Sequence, residues 1–126
     1  MSALLPDGRN AAVPGTRVEV ELEAVDPTDV VSGAPVQGIA ELGTVGGAEL
    51  GIWELRDGTV TDTEVDEIFI VLSGGAHIEL LEVPGAPDEV GSVVEVAAGD
   101  VMRLVAGTRT RWTVPDHIRK VYVAGE

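Results

Sequence analysis

The chain contains no cysteine, and that absence excludes several kinds of chemistry. It can form no disulfide bond, offers no thiolate nucleophile and has no ligands for a zinc-thiolate site. Aromatic residues are scarce as well, because the 126 residues include only two Trp, one Tyr and one Phe. Since aromatic side chains bury large apolar areas and often line binding surfaces, the positions of these four are informative.

Basic residues are also few, with 8 Lys and Arg against 22 Asp and Glu, for a net charge of −14. Nucleic acid and anionic membranes are polyanions, so this charge excludes them as general partners. Five of the eight basic residues lie in the last 26 positions: Arg103, Arg109, Arg111, Arg119 and Lys120. They either pair with carboxylates on neighbouring strands or form a site for an anionic small molecule.

A chain of this length predicts one domain, because a second core could not bury enough surface to fold alone. The apolar fraction of 44% excludes a disordered acidic tail. The first 15 residues carry no basic leader with an apolar run, and charged residues interrupt every stretch of about 18 residues. We therefore expect a soluble, cytoplasmic protein.

The sequence pattern is that of an all-β protein. Residues 1–16 lack periodicity and predict a flexible N-terminal arm, and residues 17–126 predict a single β-barrel domain. Apolar and acidic residues alternate over residues 18–23, which predicts an edge strand with a charged outer face. Further β-rich runs are separated by turn signals such as Arg56-Asp57-Gly58, Ser73-Gly74-Gly75 and Pro115-Asp116. Short strands at this spacing favour a barrel or sandwich.

Two glycine-containing motifs resemble those of cupins. Glu67 is followed after six residues by Gly74, as in the second half of the first cupin motif. Residues 99–107 have the glycine spacing of the second motif, with Val105 in place of its proline. With the segments 51–54, 112–114 and 119–123, these motifs resemble the cupin subfamily of the ureidoglycine aminohydrolase and ethanolamine-utilisation type (DUF861-type). The resemblance spans about residues 40–124 and implies a single-domain, double-stranded β-helix (jelly-roll) barrel, commonly a homodimer.

The same resemblance implies where a metal would be held. The family's paired histidines fall on Thr61 and Thr63, or on Asp62 under the longer spacing, and its last histidine falls on Thr110, so only the ligand at Glu67 is kept. Neutral hydroxyls are poor ligands for divalent transition metals. We therefore expect no metal and no other cofactor. The acids that could still contribute are Asp62, Glu64 and Asp66.

Side chains two apart on a strand share a face, so the motif register predicts which residues line the barrel. Glu67 and Lys120 form the expected charge pair, either as a structural ion pair or as a proton-transfer pair. The expected ligand-binding residues are Trp53, Thr61, Thr63, Phe69, Thr110, Trp112 and Tyr122. An alternative is that the two Trp side chains simply fill the barrel interior.

Three functions remain open at this point. The first is a metal-free cupin that binds a small polar or carboxylate-bearing metabolite in its lumen. The second is a hydrolase, lyase or isomerase acting on a small nitrogen-containing metabolite, with Glu67 as general base and Lys120 as acid or anchor. The third is a structural barrel with an inert lumen that dimerises through its edge strand.

Overall fold

The computed structural model describes residues 3–125, and these fold into seven strands with two short 3₁₀ turns. The strands are β1 (Glu23–Ala24), β2 (Val30–Val45), β3 (Ala48–Thr63), β4 (Glu67–Glu82), β5 (Val93–Ala97), β6 (Val101–Leu104) and β7 (Arg109–Ala124); the turns are Pro27–Asp29 and Pro87–Glu89. All pairings are antiparallel, in the order β1-β2-β3-β7-β4-β5, with β6 also paired to β4. The predicted all-β architecture is confirmed.

Strands β2, β3, β4 and β7 are each 16 residues long, where the sequence predicted pairs of short strands separated by turns. The predicted turns at Arg56-Asp57-Gly58, Ser73-Gly74-Gly75 and Pro115-Asp116 are instead irregularities within continuous strands. Arg56 is paired with His117 and Gly74 with Ile118, so these irregularities lie side by side. Bulges bend a strand without ending it. Their alignment bends the sheet at one level and lets it close around a lumen.

The inner and outer faces of the sheet each carry an apolar cluster. The larger cluster fills the barrel interior and includes Leu55, Ile78 and Ile118, all fully buried. The smaller cluster lies on the outer face, where Ile52 packs with Ala40 and Leu42. The chain before β1 covers this outer cluster with four partly buried side chains: Leu5, Val13, Val18 and Val20.

The predicted edge strand at residues 18–23 is corrected by the structure. Only Glu23 and Ala24 pair with β2, and residues 18–22 form no regular strand. The carbonyl of Glu21 lies so close to Gly38 that a Cβ there would collide with it. This close crossing packs Val18 and Val20 on the outer cluster, and that packing explains the apolar alternation.

The predicted arm begins at residues 1 and 2, which lie outside the described residues, as does residue 126 at the end of the predicted domain. Within residues 3–16, the backbone amides of Leu4 and Leu5 donate hydrogen bonds to the carbonyls of Glu41 and Leu42. The flexibility of the arm stays a prediction. Residues 3–125 contain no helix of the length and hydropathy needed to cross a bilayer.

Two isoleucines of β4 test the assignment of inner and outer faces. Ile78 is fully buried and Ile70 is 43% exposed. We expect Ile78→Ala to lower the free energy of unfolding by about 2–5 kcal/mol, because it removes apolar burial and leaves a cavity. Ile70→Ala should change it by about 1 kcal/mol or less. Urea unfolding measures both, and equal losses would contradict the face assignment.

Candidate functional site

A cavity of about 540 Å³ forms the barrel lumen, and its walls come from β1, β2, β3, β7, the start of β4 and the segment from β3 to β4. Trp53 and Trp112 provide aromatic wall, and Val25, Val60 and Val65 provide aliphatic wall. One amino group, that of Lys120, faces six carboxyl groups among the lining residues. These are the side chains of Glu23, Asp29, Glu49, Asp62, Glu64 and Glu67.

A buried ion pair lies in the wall of this lumen. The ammonium of Lys120 donates to Glu67 Oε2 at 2.7 Å, and both side chains are less than 10% exposed. Lys120 is paired directly with Trp53 on β3 and with Val71 on β4, so its side chain enters the lumen between these two strands. The predicted Glu67–Lys120 pair is therefore formed.

Three aromatic rings surround the same ammonium. Lys120 Nζ lies 4.3 Å from the ring centroid of Phe69, 4.8 Å from Trp53 and 4.9 Å from Trp112. The rings also contact one another, since Trp112 is 5.2 Å from Trp53 and 5.8 Å from Phe69. The negative face of each ring attracts a cation, most strongly where water is excluded. The rings and Glu67 together compensate for the loss of hydration at Lys120.

Glu64 accepts two hydrogen bonds at one carboxylate oxygen. Its Oε2 lies 2.6 Å from the hydroxyl of Thr110 and 3.0 Å from the indole Nε1 of Trp112, and both groups donate to it. Burial raises the pKa of Glu64, and the nearby Asp62 charge adds to the rise, whereas the two hydrogen bonds oppose it. The lumen therefore contains a carboxyl group that keeps its proton to higher pH than an exposed glutamate.

Sequence reasoning named Glu64 only as a nearby acid. The sequence does contain a signal for its role, because Thr110 and Trp112 lie two residues apart in β7 and therefore share its inward face. A buried hydroxyl and a buried indole N–H both require an acceptor. The neighbouring acids were the available candidates.

The two predicted threonines in β3 lie at the edge of the cavity, on either side of Asp62. Thr61 and Thr63 contribute to the cavity rim, but they pair with Arg111 and Arg109, whose side chains contact the outer acids of β4. Thr63 is exposed and accepts a hydrogen bond from Arg109 at 2.9 Å. Alternation therefore places Asp62, the residue of the longer spacing, on the inward side. Partial burial in the cavity raises the pKa of Asp62.

The other predicted ligand-binding residues divide between lining and support. Trp53, Trp112 and Tyr122 line the cavity, as do the charged residues of the ion pair. Phe69 and Thr110 are fully buried and, among the described residues, do not line it. Phe69 packs against the Lys120 ammonium, and Thr110 holds Glu64.

Two contacts outside the predicted set hold the aromatic walls in place. The indole Nε1 of Trp53 donates to Gln37 Oε1 at 3.2 Å. Tyr122 lies against Gly51, its partner across β3 and β7, at a place where a Cβ would collide with the phenol ring. Gly51 therefore leaves the space that the ring of Tyr122 occupies.

Four of the five C-terminal basic residues pair with carboxylates, as one of the two open interpretations held, and none of the described ion pairs includes Arg103. Arg109 and Arg111 contact Glu82 and Glu79 at 3.9 and 3.3 Å. Arg119 donates to Glu54 at 2.8 Å, and it also donates to the carbonyls of Gly15 and Val18. The basic end of the chain therefore joins strands and holds the N-terminal segment, and of these four pairs only Lys120–Glu67 lies at the lumen.

The residues do not fit the transition metal that cupin motifs imply. Thr61, Thr63 and Thr110 stand where histidines would be needed, and the one retained acid, Glu67, is bound to the Lys120 ammonium. Residues 3–125 contain no group of three or more His, Cys, Asp or Glu arranged to hold a metal ion. The fixed ammonium places a positive charge beside the only retained ligand and would repel a divalent cation.

Residues 42–122 match the family described as the EutQ-like cupin domain. The chain belongs to this family. Solved structures with a similar fold include EutQ of Clostridium difficile, with 23% identity and a TM-score of 0.63 over 86% of this chain and 80% of that one. An ethanolamine utilization protein Q of Salmonella typhimurium LT2 has 19% identity and a TM-score of 0.59 over 85% of this chain and 95% of that one.

A DUF861 protein of Pseudomonas syringae shares 20% identity with this EutQ-like cupin, with a TM-score of 0.67 over 85% of this chain but only 44% of that protein. None of the curated proteins compared with the sequence matches it. The solved structures confirm the cupin jelly-roll fold that the motifs indicated.

Breaking the buried Lys120–Glu67 ion pair tests how much it contributes to the stability of the fold. Lys120→Met should lower the free energy of unfolding by about 3–5 kcal/mol, because it leaves the Glu67 charge buried without a partner. The double variant Lys120→Met/Glu67→Gln should lose less than the sum of the two single variants. Urea unfolding of the four proteins gives the coupling.

Glu79→Gln is the matched control, because it breaks the partly exposed pair with Arg111. Its expected cost is about 1 kcal/mol or less. A similar cost for the two pairs, or strict additivity in the cycle at residues 67 and 120, would contradict the buried pairing.

The raised pKa of Glu64 predicts a pH dependence of stability. Above the ordinary value of 4.5 the unfolded state loses this proton while the folded state keeps it. The folded state then binds more protons, so the free energy of unfolding falls as the pH rises toward the raised pKa. Glu64→Gln removes this contribution, so the stability of wild type relative to the variant should decline over that range.

Urea unfolding at several pH values measures this difference. Glu89→Gln, which removes an exposed carboxylate from the second 3₁₀ turn, is the control for losing one charge. A wild-type advantage that grows with pH would contradict the assignment.

Proposed function

We propose that this EutQ-like cupin binds, without a transition metal, a small polar metabolite that carries an amine or another positive group. The observation that supports this most directly is the imbalance of charge among the residues that line the lumen, which include six acids and one lysine; of the acids, Glu64 and Glu67 are buried and Glu23, Glu49 and Asp62 are exposed. Because Glu67 already neutralises Lys120, five carboxyl groups remain without a compensating cation among the described lining residues. Apolar walls around such a cavity strengthen its attraction for cations.

The sequence left open a ligand bearing a carboxylate, with Lys120 as its anchor. Such a ligand would have to displace Glu67, which is 2.7 Å from the ammonium, or approach it past the other acids. An amine meets the opposite situation, because Asp62 and Glu64 line the cavity and can accept its hydrogen bonds. The geometry therefore favours an amine over an acid.

The shape of the lumen supports a small molecule as the ligand. Its volume and its two Trp walls are typical of metabolite sites. The similar Salmonella protein is described as an ethanolamine utilization protein, and ethanolamine is a small amine. This supports the same chemical class here.

Catalysis is a second candidate function, and for it we propose Glu64 in place of Glu67 as the general acid or base. Glu67 is held by Lys120, whereas Glu64 lines the cavity, has a raised pKa and lies near Asp62. Carboxyl groups with perturbed pKa values in a cavity are suited to general acid–base chemistry. The substrate class would be the same small nitrogen-containing metabolite.

Homodimerisation, a cytoplasmic location and a purely structural barrel remain proposals. Partly exposed apolar side chains lie close together on the outer faces of β4, β6 and β7 and support a dimer: Ile68, Ile70, Val101 and Val123.

Binding of amines tests the main proposal. We expect ethanolamine and choline to raise the melting temperature and change Trp fluorescence at low ionic strength, while acetate and lactate do neither. Asp62→Asn should weaken amine binding by about 5- to 100-fold, because it removes a charged hydrogen-bond acceptor. Isothermal titration calorimetry measures the affinities.

Asp88→Asn is the control, because Asp88 is an exposed acid in the second 3₁₀ turn and does not line the lumen. Binding of the acids but not of the amines would overturn the charge argument and favour the carboxylate-bearing ligand. Silence of every compound would favour the inert barrel.

A further inference from the structure

A second cavity, of about 430 Å³, lies where the irregular parts of β4 and β7 meet β5. It shares no lining residue with the lumen. Both histidines of the chain, His77 and His117, line it, together with Gly74 and Gly75. This cavity is therefore separate from the proposed amine site.

A chain of two hydrogen bonds lies at the edge of this cavity. His117 Nε2 is 3.0 Å from the hydroxyl oxygen of Ser73, and His117 Nδ1 is 2.6 Å from Asp116 Oδ2. The bond to His117 lowers the pKa of Asp116, which is therefore ionised and can only accept. Nδ1 must then carry the proton, and in the neutral ring Nε2 accepts the hydrogen of Ser73.

The fold itself brings these residues together. Ser73 pairs with Arg119 and Gly74 with Ile118, so Ser73 and His117 lie close on neighbouring strands. Gly74 has a φ of +72°, and the carbonyl of His117 occupies the space that a Cβ would need. Only glycine fits there, so Gly74 allows the two strands to approach closely where Ser73 meets His117.

We propose that Ser73 is the nucleophile of an acyl-transfer site, with His117 as its general base and Asp116 as the residue that positions the imidazole. A hydroxyl bonded to an imidazole that is in turn held by a carboxylate is the arrangement that activates serine. His117 and Asp116 line the cavity, and Ser73 reaches it through its hydrogen bond to His117, so a small acyl group would be held next to that bond.

The reaction balances without any cofactor. Ser73 Oγ forms a bond to the carbonyl carbon of an ester, and its proton passes to His117 Nε2. The bond from that carbon to the alcohol oxygen breaks, and the leaving oxygen takes the proton from His117. Water then attacks the acyl-serine, gives one proton to His117, and the proton returns to Ser73 as the carboxylic acid leaves.

The lining residues also restrict the substrate. Glu95, Asp100 and Asp116 place three carboxylates around this cavity, and Glu95 contacts His77 at 3.1 Å. Negative charge would repel an anionic acyl group. The substrate class is therefore a small ester that is uncharged or positively charged.

Labelling of the intact protein tests the proposal. A fluorophosphonate probe should modify Ser73, identified by mass spectrometry of peptides, and p-nitrophenyl acetate should be hydrolysed. Ser73→Ala and His117→Gln should each lower both rates about tenfold or more. Ser92→Ala, which removes an exposed serine outside the cavity, should leave both rates unchanged.

Asp116 separates a positioning role from a structural one. Asp116 is exposed, so Asp116→Asn should fold with an unchanged melting temperature but react about tenfold more slowly, and Asp116→Glu should recover part of the rate. Equal labelling of Ser73 and Ser92, or a wild-type hydrolysis rate in Ser73→Ala, would overturn the proposal. So would identical rates in the two Asp116 variants.

Discussion

The organisation of the lumen depends on one buried cation. Lys120 is surrounded by three aromatic rings and bonded to Glu67, and all of these groups come from β3, β4 and β7. An ammonium without such partners could not remain charged in a barrel interior. The pair therefore constrains the three strands to one register, because a slip of one residue would turn Lys120 toward solvent.

The same constraint changes the chemistry that this family member can perform. In the cupin motif, the position of Glu67 belongs to a metal ligand. In this protein the ammonium of Lys120 is the cation that contacts Glu67. Because Glu67 and Lys120 neutralise each other, the remaining charged residues that line the lumen are all acids. They include Asp62 and Glu64. The proposed preference for an amine rests on these remaining acids.

The bend across the four long strands has a second consequence. It closes the barrel on one side and creates the irregular backbone at Gly74 on the other, where Ser73 meets His117. Bulges often re-aim side chains in this way. The same strand irregularities thus shape both the lumen and the second cavity.

Much of the fold followed from local pattern and glycine spacing. Alternation and turn residues indicated strands, and the two glycine-containing motifs, together with the segments around them, indicated a cupin barrel. The pattern could not show that Asp57 and Gly74 lie within strands, because a bulge and a turn use the same residue types. That distinction depends on the neighbouring strand, which is remote in sequence.

The sequence by itself determined the absence of thiol chemistry and the acidic charge, because these depend only on residue identity. Only the tertiary structure decided that Asp62 lines the cavity together with Thr61 and Thr63, and that Glu64 accepts hydrogen bonds from Thr110 and Trp112. These facts depend on the register between β3 and β7. Register is set by contacts across strands, and no residue carries that information alone.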